Sequence, residues 1–162
     1  MNFLLISYNT FGHITIVTKQ AEPLYEWLEK KLKGKGITIY YDLDKLPEPR
    51  DFQNRDLNNI VVFDDQVVTK NQRKIINYFI YGRKVGSGIT CFYLTQSYYS
   101  VPKTIRSQLS YLWIVKIGQK KRDLNLILSD SGGLVEKKVL AELYQDATQK
   151  KFNFLKINLN KP

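Results

Sequence analysis

The chain has 162 residues, 43% of them hydrophobic, a length typical of one globular domain with its own core. Its net charge of +10 favours a polyanionic partner such as nucleic acid or an anionic surface, although lysines scattered along a chain also form ordinary solvated surface. One histidine and one cysteine cannot assemble a zinc site or an internal disulfide. The sequence has neither a long apolar run nor a signal-peptide pattern, so we expect a soluble, intracellular protein without a membrane span.

Strand and helix patterns alternate through the first part of the chain. The β-branched stretch 13–18 predicts a strand, and Pro23 suits the first turn of the helix that follows. A second strand is predicted at 37–41, before an acidic, proline-bearing loop at 42–51. The predicted buried face of the helix is made of Leu24, Trp27, Leu28 and Leu32.

The middle of the chain contains two apolar runs separated by a helical pattern. IVVFDD at 60–65 is apolar on both faces before its two carboxylates, which is typical of a strand inside a covered parallel sheet. ITCFYLT at 89–95 predicts a second strand of this kind. Between them, 71–83 predicts an amphipathic helix. Its apolar face is made of Ile75, Ile76, Phe79 and Ile80.

The last third of the chain continues the alternation. We predict helical turns at 103–110, a strand at 111–117, helices at 123–128 and 134–144, and a half-exposed edge strand at 152–159. The second helix is amphipathic through Leu134, Val139, Leu140 and Leu143. Strands that alternate with helices predict an α/β fold with a mostly parallel sheet flanked by helices.

Polar side chains follow two of the predicted strands. Asp64 and Asp65 end one strand, and Gln96 follows the other. Because the carboxyl ends of parallel strands meet at one edge of a sheet, these three side chains form a candidate site. The structural alternative is that Asp is simply common in loops and at helix N-caps.

Basic and aromatic residues supply further candidates. Arg83 lies at the end of a predicted helix, where a cation stabilises the helix dipole, although an arginine on the glycine-flanked loop there can also reach a neighbouring subunit's triphosphate. The loop 97–106 combines rings and cations suited to stacking and phosphate contact, or to packing on the sheet. Its candidate nucleic-acid-binding residues are Tyr98, Tyr99, Lys103 and Arg106. We expect His13 and Cys91 to be structural.

In this order and spacing, four segments of the chain resemble genome-packaging ATPases of poxviruses, other large DNA viruses and virophages, within the HerA/FtsK superfamily of P-loop motors. The segments are ITIVTKQAEPLYEWLE at 14–29, VVFDD at 61–65, GRK at 82–84 and ITCFYLTQSYYSVPKTIR at 89–106. The resemblance implies that Asp64 positions Mg²⁺ and that Asp65 takes the place of a catalytic glutamate. It also implies that Gln96 is a sensor of the γ-phosphate and Arg83 an arginine finger, with ATP and Mg²⁺ as cofactors.

The chain departs from this family at its start. It contains no G-x-x-x-x-G-K-[ST] phosphate loop, and about 10 residues precede the first matching segment, fewer than a strand, loop and helix of ~30 residues need. The resemblance therefore implies a single, incomplete P-loop ATPase-like domain over 1–162, with a RecA-like core lacking its first strand. That strand would lie between the strand ending near Gln96 and the strand at 111–117. A second polypeptide, or FLLIS at 3–7, would fill the gap, unless the gene product is truncated.

The resemblance implies a motor that uses ATP to translocate double-stranded DNA into a capsid, inactive as this chain alone. Expected partners are double-stranded DNA, a capsid or portal-like vertex, and further copies in a ring. The expected location is the host cytoplasm or viral factory, or the virion. The alternatives are a non-catalytic nucleic-acid-binding or assembly subunit, and a degenerate gene product.

Overall fold

A computed structural model gives the fold of most of the chain. Within the single predicted domain it forms two compact units, unit 1 over Met1–Gln96 and unit 2 over Ser97–Pro162. The residues it describes are 11–32, 36–52, 56–118, 121–131 and 136–160. The predicted gap-filling segment 3–7 lies outside these residues. Every helix in the described part of the chain is too short or too polar to cross a membrane.

Unit 1 is a four-stranded, wholly parallel sheet in the order β2-β1-β3-β4, flanked by helices. This confirms the predicted α/β class. The strands are β1 Phe11–Val17, β2 Ile37–Tyr40, β3 Asn58–Asp64 and β4 Ile89–Leu94, and the helices are α1 Pro23–Lys31 and α2 Arg73–Tyr81. Three short 3-10 turns, Leu43–Lys45, Pro49–Asp51 and Gln66–Val68, occupy the loops, and a fourth, Gly82–Lys84, follows α2.

The central strand β3 is buried on both faces, as its sequence predicts. On one face, Ile60 and Val62 share a core cluster with Leu28 of α1. On the other, the ring of Phe63 packs 5.4 Å from Tyr78 of α2, edge to face. Each such side chain contributes about 1.5–3 kcal/mol when it is fully buried. Because helices cover both faces, only the ends of this strand remain for ligands.

Two predicted apolar faces of unit 1 differ from the structure. In α1 the buried residues are Tyr25 and Leu28, whereas Leu24 and Trp27 are exposed. The predictions of Leu24 and Trp27 as core residues are therefore wrong, because the helix turns Tyr25 and Leu28 towards the sheet. Strand β4 is fully buried only at Ile89. Among the described residues it pairs with β3 alone, so it is an outermost strand of the sheet.

Unit 2 has a second, two-stranded sheet. Strands β5 and β6 pair antiparallel, with Ile114 opposite Leu155 and Trp113 opposite Lys156. The elements are α3 Lys103–Arg106, β5 Tyr111–Val115, α4 Lys121–Asp130, α5 Lys137–Ala147 and β6 Phe154–Asn158. The resemblance placed β5 in the parallel sheet, but among the described residues β5 pairs with β6.

One face of this small sheet packs against the helices of unit 2. Ile114 and Ile157 share a core cluster with Leu128 and Leu140 of the helices, and with Tyr144. In α5 the buried residues are Leu140 and Tyr144, and Val139 and Leu143 are exposed, so the predicted face is wrong at those two positions. Leu134 of that face lies outside the described residues. Tyr144 also accepts a hydrogen bond from the Ile117 amide at 2.8 Å. The opposite face of the sheet carries the exposed residues of both strands.

Candidate functional site

The carboxyl end of β3 brings Asp64 and Asp65 to the edge of the parallel sheet. Asp64 is paired in register with Leu94 of β4, and the Asp65 amide donates a hydrogen bond to the Leu94 carbonyl at 3.0 Å. Gln96 lies two residues beyond Leu94, at the same edge. The ends of neighbouring parallel strands are expected to meet at one edge of a sheet in this way.

A tyrosine that sequence reasoning missed contacts the first of these carboxylates. The Tyr25 hydroxyl donates to Asp64 Oδ2 at 2.7 Å. Burial, followed by this hydrogen bond and the charge of Asp64, raises the pKa of Tyr25 above its ordinary value. Its position three residues before Leu28, on the same helical face, was the available signal. Tyr25 therefore fixes the Asp64 side chain from the neighbouring helix.

Asp65 has a left-handed backbone conformation. Its φ is 47° and its ψ is 42°, and its side chain is exposed. Among residues other than glycine, Asp and Asn enter this region most readily because their short polar side chains bond locally. The conformation turns the chain sharply out of β3 and leaves the Asp65 carboxylate in solvent, accessible to a ligand.

A hydrogen-bond network holds the loop that follows Asp65. The buried Gln66 donates to the Asp64 carbonyl at 2.9 Å and accepts from Thr69 Oγ1 at 2.9 Å. Gln72 donates to the Thr69 carbonyl at 3.0 Å and accepts from the Tyr93 hydroxyl at 3.4 Å. Burial raises the pKa of Tyr93 to about 12. The hydrogen bonds that hold this loop thus come from neutral side chains.

Arg83 lies at the other end of the sheet. It is exposed in the Gly82–Lys84 turn, between the last residue of α2 and the start of β4. Asn59, near the start of β3, pairs with Ile89, and the five residues from there to Asp64 span about 17 Å. The structure therefore does not bring Arg83 together with Asp64 and Asp65 of the same chain. A role at a triphosphate would need the site of another subunit.

Two of the four candidate nucleic-acid-binding residues have internal contacts. Arg106, whose side chain is 12% exposed, forms an ion pair with Asp130 at 2.9 Å. The buried Tyr98 donates to the same carboxylate oxygen at 3.1 Å, and Arg106 lies over the Tyr98 ring. Burial, followed by the charge of Asp130, raises the pKa of Tyr98. These contacts match the structural alternative for both residues.

The other two candidates remain on the surface. Tyr99 is exposed, with the Arg122 guanidinium 3.3 Å from its ring centroid, and its amide donates to Asp123 Oδ1 at 2.7 Å. Lys103 is exposed at the start of α3. A role in nucleic-acid contact stays a prediction for this pair, which supplies one aromatic ring and one cation.

The carboxylates are of the type that Mg²⁺ prefers. Magnesium is typically held by one or two carboxylates together with phosphate oxygens and water. Asp64 and Asp65 fit the carboxylate part, although Asp64 Oδ2 already accepts from Tyr25. No group of three or more His, Cys, Asp or Glu side chains is found among the described residues, so a magnesium ion here would take its other ligands from phosphate oxygens and water.

His13 and Cys91 have structural contacts. His13 Nε2 lies 2.9 Å from Thr38 Oγ1 across two strands, and burial lowers its pKa. The Cys91 thiol lies 3.6 Å from the Tyr78 carbonyl, and burial raises its pKa to about 12. A thiol with so high a pKa is a poor nucleophile.

Comparison of the chain with protein-family models, with curated proteins and with solved structures gives no match. Assignment of a function therefore rests on the chemistry of the residues described above.

Proposed function

We propose that the chain is all or part of a genome-packaging ATPase that moves double-stranded DNA into a viral capsid. The observation that supports this most is the shared edge of a parallel sheet, where Asp64, Asp65 and Gln96 follow two neighbouring strands. Ligand sites of open α/β sheets lie at such edges. The proposal includes a RecA-like identity for the parallel sheet.

Each residue has a distinct role in this proposal. Asp64 would hold the magnesium ion, which would neutralise charge on the triphosphate of ATP. Asp65 accepts a proton from water, and the Gln96 amide orients that water. Arg83 acts at the site of a neighbouring copy in a ring, since it lies at the far end of its own sheet. The chain lacks a phosphate-binding loop, so we expect weak ATP binding and no turnover by this polypeptide alone.

The proposed motor has partners and a location in the infected cell. The charge of +10 suits contact with the phosphates of double-stranded DNA. A packaging motor also needs a capsid or portal-like vertex, and it acts in the host cytoplasm, in a viral factory or on the virion.

Binding of Mn²⁺·ATP tests the role of Asp64. Because the carboxylate is a direct ligand in the proposal, we expect weak binding by water-proton relaxation, reduced at least ~10-fold in Asp64→Asn. Asp44→Asn, an exposed carboxylate in a loop of the same unit, is the matched control and should bind as the parent does. Equal binding by both variants would exclude Asp64 as a ligand. Micromolar affinity with turnover that Asp65→Asn abolishes would contradict the expected need for a further phosphate loop.

A second function, a non-catalytic nucleic-acid-binding or assembly subunit, is favoured by the Tyr25–Asp64 contact. There the proposed metal ligand already has a structural partner. In this case duplex DNA binding should fall steeply with salt and be unchanged in Asp64→Ala. A phosphate-loop motif in the coding DNA upstream of Met1 would instead favour the motor.

A further inference from the structure

The outward face of the sheet in unit 2 combines aromatic rings with a lysine. We call the exposed side chains of Tyr111, Trp113, Phe154 and Lys156 the aromatic face. Tyr111 is 40% exposed, Trp113 47% and Phe154 52%. Side chains alternate between the two faces of each strand, and all four of these residues point outward. Residues that point inward, such as Ile114 and Ile157, form the core. The core of unit 2 thus forms without these rings.

The rings and the lysine are arranged as one group. Lys156 Nζ lies 4.7 Å from the Tyr111 ring centroid and 5.7 Å from that of Trp113. The two ring centroids are 5.8 Å apart, with the planes tilted by 40°. Lys150 and Lys151 are exposed just before β6, so further cations lie near in the chain.

From this arrangement we propose that the aromatic face binds single-stranded DNA, with bases stacked on Tyr111 and Trp113 and a phosphate paired with Lys156. Aromatic rings beside cations are the usual means by which proteins bind unpaired strands without sequence preference. A partner with negative charge also complements the central lysine and the charge of +10. An apolar protein surface would instead leave the Lys156 ammonium desolvated.

The ring spacing favours a single strand over a duplex. Neighbouring bases of a duplex are about 3.4 Å apart along each strand. Rings 5.8 Å apart can each receive a base only if the two bases are unstacked from each other. This inference goes beyond the proposed function, which concerns duplex DNA, and takes from it only the preference for DNA over RNA.

Fluorescence anisotropy with a labelled oligothymidylate of about 12 nucleotides, a length that one small binding domain covers, tests the proposal. We expect the full chain to bind it at low salt, and to bind it tighter than a duplex of equal length. Trp113→Ala should weaken binding roughly 5- to 150-fold, the range found for one stacked base. Trp27→Ala is the matched control, because Trp27 has the same exposed fraction of 47% on a helix of unit 1. Equal losses in the two variants, or a preference for the duplex, would overturn the proposal.

A spectroscopic measurement keeps the test independent of folding defects. The chain has two tryptophans, so Trp27→Phe leaves Trp113 as the only one. Its fluorescence should be quenched on titration with oligothymidylate, as expected for a stacked base. Absence of quenching at saturation would contradict stacking on Trp113. Quenching by protein concentration alone, with dimers in sedimentation, would show a second copy on the aromatic face instead.

Lysine substitutions in the protein test the phosphate contact, and an RNA oligonucleotide tests the preference for DNA. Lys156→Gln should make the slope of log affinity against log salt less negative by about 0.7, the value for one phosphate contact on a single strand. Lys138→Gln, an exposed lysine on α5, should leave the slope unchanged. Binding of oligouridylate more than ten times tighter than oligothymidylate would overturn the assignment to DNA. None of these measurements uses ATP or Asp64, so their failure is distinct from failure of the motor proposal.

Discussion

The two units of the chain use their β-strands in opposite ways. In unit 1, β3 is buried on both faces between helices, and its polar groups lie where the strand ends. In unit 2, β5 and β6 bury one face and expose the other, which carries rings and a lysine. A covered parallel sheet thus leaves its edge for chemistry, whereas a half-covered antiparallel sheet leaves a whole face for binding. The two proposals follow from this difference.

Truncation of one aromatic ring in each sheet should reveal the largest difference between the two units. Phe63→Ala should lower the free energy of unfolding by about 3–5 kcal/mol, because Phe63 is fully buried against the rings of α2. Phe154→Ala should change it by no more than about 0.5 kcal/mol, since that ring is on the surface. Urea denaturation of both variants gives the measurement. A cost at Phe154 close to that at Phe63 would mean that the aromatic face is covered in solution.

Alkaline pH should lower the stability of unit 1 more than that of unit 2, and this is the next largest expected difference. Burial raises the pKa of Tyr25 and Tyr78, and it raises that of Tyr93 and Cys91 to about 12. In the described part of the chain, unit 2 has one such group, Tyr98.

A group with a raised pKa stabilises the fold below its unfolded pKa. Stability should therefore fall above about pH 9 for the thiol and about pH 10 for the tyrosines, by up to ~1.4 kcal/mol per pH unit for each group. Unit 1 should lose more than unit 2. Urea midpoints followed by Trp27 in a Trp113→Phe chain, and by Trp113 in a Trp27→Phe chain, report each unit separately. Parallel losses in both would contradict this expectation.

Removal of the Tyr25 hydroxyl should have a smaller effect, confined to the edge of the parallel sheet. Tyr25→Phe should cost about 1–2 kcal/mol, because a hydrogen bond to a carboxylate is lost while the ring stays in the core. Tyr81→Phe, on the exposed side of α2, should be neutral. The difference in urea midpoint between the two variants measures the bond, and no difference would mean that Asp64 does not need Tyr25.

The smallest effect is expected at Asp65. Asp65→Glu should cost roughly 0.5–1 kcal/mol, because a longer side chain enters the left-handed region less readily than Asp does. Asp65→Asn should be close to neutral for stability. Thermal denaturation resolves the pair, and a neutral Glu would show that the backbone at this residue relaxes.

The sequence predicted the elements well and their faces less well. IVVFDD predicted β3 correctly because burial on both faces leaves a continuous apolar run. The predicted burial of Trp27 was wrong because residue spacing alone does not determine which side of a helix packs against the sheet. The partial exposure of β4, which pairs with β3 alone among the described residues, depends on strand order, and one sequence does not determine strand order.

The candidate site was predicted in part for a similar reason. Asp64, Asp65 and Gln96 follow strands, and the parallel topology brings strand ends together. Tyr25 was missed because its bond joins residues 39 apart in the chain. The internal contacts of Tyr98 and Arg106 likewise depend on Asp130, far along the sequence. The aromatic face became visible only when the strand register placed Trp113 beside Lys156.

The backbone at Asp65 has a consequence for sequence variation. Asn and Gly suit its left-handed conformation at least as well as Asp does, so the fold would tolerate loss of the charge without penalty. Selection for folding therefore does not conserve this carboxylate, and only selection for its chemical role would keep it. Variant libraries selected for folding alone should drift to Asn or Gly at this residue, whereas selection for activity should keep the acid.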